Sequence, residues 1–227
     1  MDLNRDPMEN TLLHLAVEDG DEKKVDEILD SDTPAMVNAV NRDRQTPLHC
    51  AKGTFILEKL LSYRKKLFGH DEPSRLPECF HNINANAGSW SGLTRLHIAS
   101  VHNDHEVAAV LLKSNDVDVN ARDNELKTPL HTAAMKNAHE VAALLLERSD
   151  VDVNAQANAP AKLGQTPLHY ASRANAHEVA ALLLKSSDVD VNALNWSHKT
   201  ALDFAVERGA TECAELLRGA SAGGTSE

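Results

Sequence analysis

Twelve histidines stand in a chain of 227 residues, and histidine is the side chain most often used both to ligate metals and to move protons near neutral pH. Repetition accounts for most of them. His14, His49, His97, His131 and His169 each close a recurring T-x-L-H stretch, and His105, His139 and His177 each precede a glutamate. Side chains one helix apart are separated by about 10 Å, whereas a zinc–nitrogen bond is about 2 Å, so a ladder of this kind cannot share a metal ion. The mixed cluster His70, Asp71, Cys79 and His81 matches no familiar zinc spacing, which makes a metal-binding protein the weakest of the functional readings.

Other chemistry is no better marked. Cys50, Cys79 and Cys213 are odd in number and scattered, so they outline neither a disulfide framework nor a metal knuckle. A cysteine nucleophile needs a base held beside it, and none is identifiable. Phosphate-cradling glycine loops, G-x-S-x-G elbows and H-E-x-x-H helices are missing from the sequence. The segment "SDVDVN" offers carboxylates but lacks the ligand order and glycine of a calcium loop, and its aspartates are expected to cap turns. No catalytic, cofactor-binding or metal-binding residue is therefore assigned, and the chain reads as a non-enzyme.

Composition narrows the class. Hydrophobic residues make up 42% and aromatics only 4%, so the core must be built from Ala, Leu and Val, which favours closely packed helices over sandwiches or barrels. The net charge of −11, with 34 acidic against 23 basic residues, argues against nucleic acid as a partner and for a basic protein surface. No signal peptide or membrane span is visible. The expectation is a reduced, cytoplasmic setting, and the sequon Asn195-Trp196-Ser197 is taken as coincidental.

What positions these residues is a repeat. Residues 127–155, "KTPLHTAAMKNAHEVAALLLERSDVDVNA", and 165–193, "QTPLHYASRANAHEVAALLLKSSDVDVNA", are nearly identical. Repeats begin at Thr11, Thr46, Thr94, Thr128, Thr166 and Thr200, giving intervals of 34 to 38 residues and one of 48. Threonine is a good helix N-cap, and Pro47, Pro129 and Pro167 stand at the first helical position, where no backbone N–H is missed. Gly20, Asn103, Asn137, Asn175 and Gly209 then supply residues that enter the left-handed conformation cheaply. A helix such as "HEVAALLL" follows, with Val and Leu to pack and Ala to allow close approach.

On these residues the chain resembles the ankyrin repeat family, whose period and T-P-L-H-x-A pattern it carries six times in phase over about residues 7–218. The resemblance implies an all-α solenoid of stacked helix–loop–helix repeats with projecting β-hairpin loops. It also implies that the T-x-L-H histidines are structural, bonding the helix start to the adjacent loop. The expected organisation is one domain over residues 1–218 with a flexible tail at 219–227, and the terminal repeats carry the polar replacements that stacks of this kind need at their ends. Asp203 there takes the place of the motif histidine.

Two departures from the period stand out. The second repeat shortens the link between its helices by three residues and then inserts a segment at about 62–82; Ile56, Leu57, Leu60, Leu61, Leu67 and Phe68 predict that its second helix runs on into this segment through Phe68 and is ended by Gly69. This insertion, with the basic spot Arg64, Lys65 and Lys66, is either a docking element or a tolerated surface insertion. A shorter insertion in "QANAPAKLGQ" lengthens one projecting loop, either reshaping the binding edge or extending a neutral loop.

In the family, partners contact the loop tips and first helices that line the concave side. Counting from the marker threonine carries this face onto Arg42, Trp90, Asn124, Lys162, Leu163 and Trp196 at the tips and Val101, His102, Met135, Lys136, Arg173 and Arg208 on the first helices, with Tyr170 close behind. Trp, Tyr and Arg are enriched in binding hot spots. The opposing reading is that each tryptophan folds back onto its neighbouring loop. The functional expectation is a monomeric, non-catalytic module, cofactor-free and without nucleic-acid or membrane contact. It would bind a protein partner, basic or extended, as an adaptor, a scaffold or a bacterial effector delivered into a host cytosol. A rival is a regulatory or targeting subunit presenting the 62–82 insertion to an enzyme.

Overall fold

A computed structural model describes residues 9–30, 37–63, 83–159 and 162–223. The chain divides into two compact units, Met1–Arg95 and Leu96–Glu227.

In the N-terminal unit, α1 (Leu12–Asp19) packs on α2 (Glu22–Asp30) and on α3 (Pro47–Cys50), and α4 (Thr54–Ser62) follows. Leu13, Val17, Val25, Leu48, Ile56, Leu57 and Leu60 are buried. The second repeat departs from expectation twice. Its deletion removes a turn of α3, which has four residues where α1 has eight, rather than shortening the link. Ala51 at φ −59°, ψ 124° leaves the helix, and Gly53 at φ +80° redirects the chain into α4. Nor does α4 run to Phe68. Ser62 Oγ donates to the Lys59 carbonyl at 3.1 Å, Tyr63 N–H turns back to Leu60 O at 3.0 Å, and Tyr63 is extended. A serine hydroxyl that takes over a helix carbonyl competes with the next helical bond in this way. Gly69, with Arg64 to Lys66 and the His70–His81 cluster, lies outside the described residues.

The C-terminal unit stacks helix pairs. First helices α7 (Pro129–Lys136), α9 (Pro167–Ala174) and α11 (Ala201–Arg208) pack one on the next, as do second helices α6 (His105–Leu112), α8 (His139–Leu146), α10 (His177–Leu183) and α12 (Thr211–Gly223), while α5 (Arg95–His102) precedes α6. Val107, Leu111, Val141, Leu145, Val179, Leu183 and Leu217 are buried with Ala108, Ala142 and Ala180 between them, as the "HEVAALLL" pattern requires. Burying a Val or Leu side chain contributes about 1.5–3 kcal/mol, so each helix is held by its neighbours more than by its own propensity. Helix α12 runs to Gly223 and so takes in residues 219–223, which composition assigns to a tail.

Local chemistry sets the helix boundaries. Thr11, Thr46, Thr128, Thr166 and Thr200 are N-caps in reciprocal boxes with the residue three places on. The left-handed residues that end the first helices are Gly20, Asn103, Asn137, Asn175 and Gly209.

Candidate functional site

Four of the projecting loops end in a five-residue turn of common design. In Asn41–Gln45, Ser89–Leu93, Asp123–Lys127 and Asn195–Lys199 the first residue's N–H donates to the last residue's carbonyl at 3.0 Å. The fourth residue is left-handed: Arg44, Gly92, Leu126 or His198, with φ from 54° to 75°. Where the first residue is Asn41, Asp123 or Asn195, its side-chain oxygen accepts the N–H groups of the third and fifth residues at 2.8–3.0 Å. These bonds occupy the turn's interior, which leaves the second and third residues to project. The sequence count places Arg42, Trp90, Asn124 and Trp196 at that second position.

The two tryptophans are the most prominent of these. Trp90 is 72% exposed and its N–H donates to Asp43 O at 2.9 Å; Trp196 is 57% exposed. Trp196 is seated on one side. A β-carbon at Gly164 would fall 2.6 Å from the indole Nε1 and 2.7 Å from Cδ1, so the ring covers the Gly164 backbone. The exposed ring and the folded-back ring are therefore both partly realised in Trp196. Arg42 pairs with Glu9 at 3.3 Å on the surface, and Asn124 is exposed.

The fifth repeat alters the pattern. Its insertion makes a two-stranded antiparallel hairpin, β1 (Ala157–Ala159) and β2 (Lys162–Gln165), with an irregularity between Ala157 and Asn158. Lys162 and Leu163 are consequently in the returning strand, paired with Ala159 and Asn158, and residues 160–161 lie outside the described ones. The threonine count fails here because the extra residues separate the tip from the marker.

On the first helices His102, Lys136 and Arg208 are exposed, and Val101, Met135 and Arg173 are half-buried. Tyr170 departs from expectation: it is 2% exposed, edge-on to the His131 ring at 5.4 Å, with the Arg173 guanidinium over its own ring at 5.5 Å. Thr132, at the same register in the preceding repeat, is buried too. The tyrosine is packing beneath the face, and Arg173 is what the face presents there.

Beneath the tips runs the histidine ladder. In His14, His49, His131 and His169 the Nδ1 accepts from the capping threonine's N–H at 3.1–3.2 Å. The Nε2–H of His14, His49, His97, His131 and His169 donates to Gln45 O, Leu93 O, Lys127 O, Gln165 O and Lys199 O at 2.9–3.0 Å. Each of those carbonyls precedes the next repeat's threonine, so the imidazole joins one repeat to the foot of the next tip. A neutral ring fits this role and a charged one does not, because protonated Nδ1 could not accept. Burial accordingly holds His49, His97 and His169 below the usual histidine value and His131 down at about 4. At the last repeat Asp203 accepts from Thr200 N and Oγ1 at 2.8 and 2.9 Å; a carboxylate closes the box but has no donor to pass on.

A second ladder joins residues one repeat apart. Asn103, Asn137 and Asn175 donate through Nδ2 to Glu140, Glu178 and Glu212 of the following repeat at 3.0, 2.5 and 2.9 Å. The signal was present in the constant placing of left-handed Asn and first-turn Glu. The aspartates of "SDVDVN" do cap turns: Asp118, Asp152 and Asp190 accept the N–H of Asn120, Asn154 and Asn192 at 2.9–3.1 Å. Among the described residues no group of three or more His, Cys, Asp and Glu is placed to hold a metal ion, and no helix is long and apolar enough to cross a membrane.

Comparison with known proteins gives one consistent result. A family model described as ankyrin repeats, in three copies, matches residues 65–157 and 149–224. Among solved structures, the chain is similar to the ankyrin repeat domain of Bcl-3, titled a unique member of the IkappaB protein family. The TM-score is 0.76 at 27% identity, over 93% of this chain and 86% of that one. No curated protein sequence matches.

Proposed function

Because this chain belongs to the ankyrin repeat family, we propose that it is a protein-interaction module whose partner docks on the loop tips and first helices. The observation that carries the reading is the pair of tip tryptophans, Trp90 and Trp196, each held on a hydrogen-bonded turn with more than half of its surface exposed. A large ring on a rigid turn loses little further freedom on binding, and aromatic anchors of this kind contribute about 2 kcal/mol or more when buried centrally. Supporting it, the backbone of the turns at 41–45, 89–93, 123–127 and 195–199 is already closed by hydrogen bonds within each turn, so docking there requires no rearrangement of the backbone. The role is that of an adaptor, scaffold or effector acting by capture and not by catalysis, in an intracellular compartment and as a monomer.

The test is affinity capture from cell lysates by three forms of the full chain: wild type, Trp90→Ala with Trp196→Ala, and a chain lacking residues 69–82. Loss of the captured band in the tryptophan variant, with an unchanged circular dichroism spectrum, supports the reading. Loss only in the deletion would move the function to the insertion and contradict it.

A further inference from the structure

We infer that the first-helix face of the C-terminal unit receives an extended acidic peptide segment whose carboxylates recur at every third residue. This rests on the docking reading above and names the chemistry of the partner. The last turns of four successive first helices carry His102, Lys136, Arg173 and Arg208, one basic group per repeat on a chain whose net charge is −11. The corresponding positions of α1 carry Glu18 and Asp19, with no basic residue in the last turn, so the basic row is a property of the C-terminal unit and not of the repeat.

Among the described residues Lys136, Arg173 and Arg208 make no ion pair, while the carboxylates around them are engaged. Glu207, beside Arg208, is paired with Lys199 at 2.6 Å, and Glu125 at the neighbouring tip is paired with Lys127 at 3.0 Å. Glu140, Glu178 and Glu212 accept from the asparagines that end the first helices. Asp203 is bonded to Thr200. Arg173 is further oriented by the Tyr170 ring at 5.5 Å, which leaves its N–H edge for a bidentate carboxylate.

Basic residues near helix C-termini also favour the helix dipole, but that role asks nothing of spacing. Stacked helices are about 10 Å apart, and an extended chain in the polyproline II conformation advances about 3.1 Å per residue with three residues per turn, so three residues of partner span one repeat and every third side chain lies on the same face. A carboxylate at every third position meets one basic group per repeat. A long nucleic acid carries its phosphates without that interval and would meet the overall negative field.

The test is fluorescence anisotropy of labelled 12-residue peptides with the full chain: one with Glu at every third position, one with the same composition and its glutamates contiguous, one with Lys at every third position, and a single-stranded oligodeoxythymidine. The expected result is at least about fivefold tighter binding of the spaced than of the contiguous acidic peptide, weakened about tenfold when salt rises from about 50 to 300 mM, as screened surface pairs require. Lys136→Glu with Arg173→Glu should reduce it more than tenfold, and Lys136→Ala with Arg208→Ala provides a milder variant should the first unfold. Equal binding of the two acidic peptides, binding unmoved by these substitutions, or equal binding of the oligonucleotide overturns the inference. Preference for the Lys peptide, lost in Trp196→Ala, overturns it while keeping the docking reading. Peptide binding indifferent to every substitution on this face contradicts both.

Discussion

The indole of Trp196 lies on the backbone of Gly164, so close that a β-carbon there would fall 2.6 Å from Nε1. Gly164 is also left-handed at φ +61°, in the strand that the insertion of the fifth repeat creates. The insertion and the tip tryptophan of the sixth repeat thus form one surface feature, a hairpin roofed by a ring whose outer side remains exposed.

Gly164→Ala should be costly for two separable reasons. A side chain at positive φ costs about 1–2 kcal/mol, and the added carbon collides with the ring. In a Trp90→Phe background, where Trp196 is the sole tryptophan, its fluorescence should shift towards that of a solvated indole. Adding Trp196→Ala in a thermal-unfolding cycle should recover the collision but not the backbone strain.

Acid should weaken the stack through the histidine ladder. His131 is held at about 4 in the folded chain against 6.5 as the ordinary value, by burial opposed in part by its bonds to Gln165 and Ala155. A depressed histidine contributes its full stability above pH 6.5. It loses that stability as pH falls from 6.5 to about 4, because the unfolded chain takes up the proton first. For His131 alone the loss is about 3 kcal/mol at most. Urea unfolding across this range should show a falling midpoint, with a flatter slope in His131→Gln.

Asn137 combines two duties that substitutions can divide. Asn137→Gly keeps the left-handed cap and loses only the bond to Glu178, whereas Asn137→Ala loses both and should be the less stable by about 1 kcal/mol. Thermal unfolding of the two variants checks the order; equal stabilities would mean that the backbone conformation contributes nothing there.

Two thiols should be slow to react. Burial pushes Cys50 and Cys213 up to about 11, aided by Glu18 at the first and Glu212 at the second. At pH 8 their thiolate fraction is about 200-fold below that of an ordinary cysteine near 8.5. Titration with a disulfide reagent should therefore show both lagging in the native chain and reacting at once in denaturant.

The repeat frame was legible because its determinants are local. Threonine, proline, and left-handed Gly or Asn act through their own backbone, so marking Thr128 and Asn137 located both ends of α7. What escaped depends on contact. Tyr170 has the register of a face residue, yet its ring fills the space beside His131, which no count of residues reveals. Lys162 and Leu163 were displaced from the tip because inserted residues paired as strands. The truncated α3 turns on where Ala51 and Gly53 take the backbone, and the early end of α4 on which carbonyls Ser62 and Tyr63 claim. The Asn–Glu ladder joins residues a repeat apart, and only the stacking of repeats brings them together.

Hydrogen exchange on the captured complex, compared with the free chain, tests the docking account most directly. Protection is predicted at the tips 89–93, 123–127 and 195–199 and in the last turns of α7, α9 and α11, with the second helices α6, α8 and α10 unchanged. Protection confined to residues 64–82, or to the second helices, would contradict it.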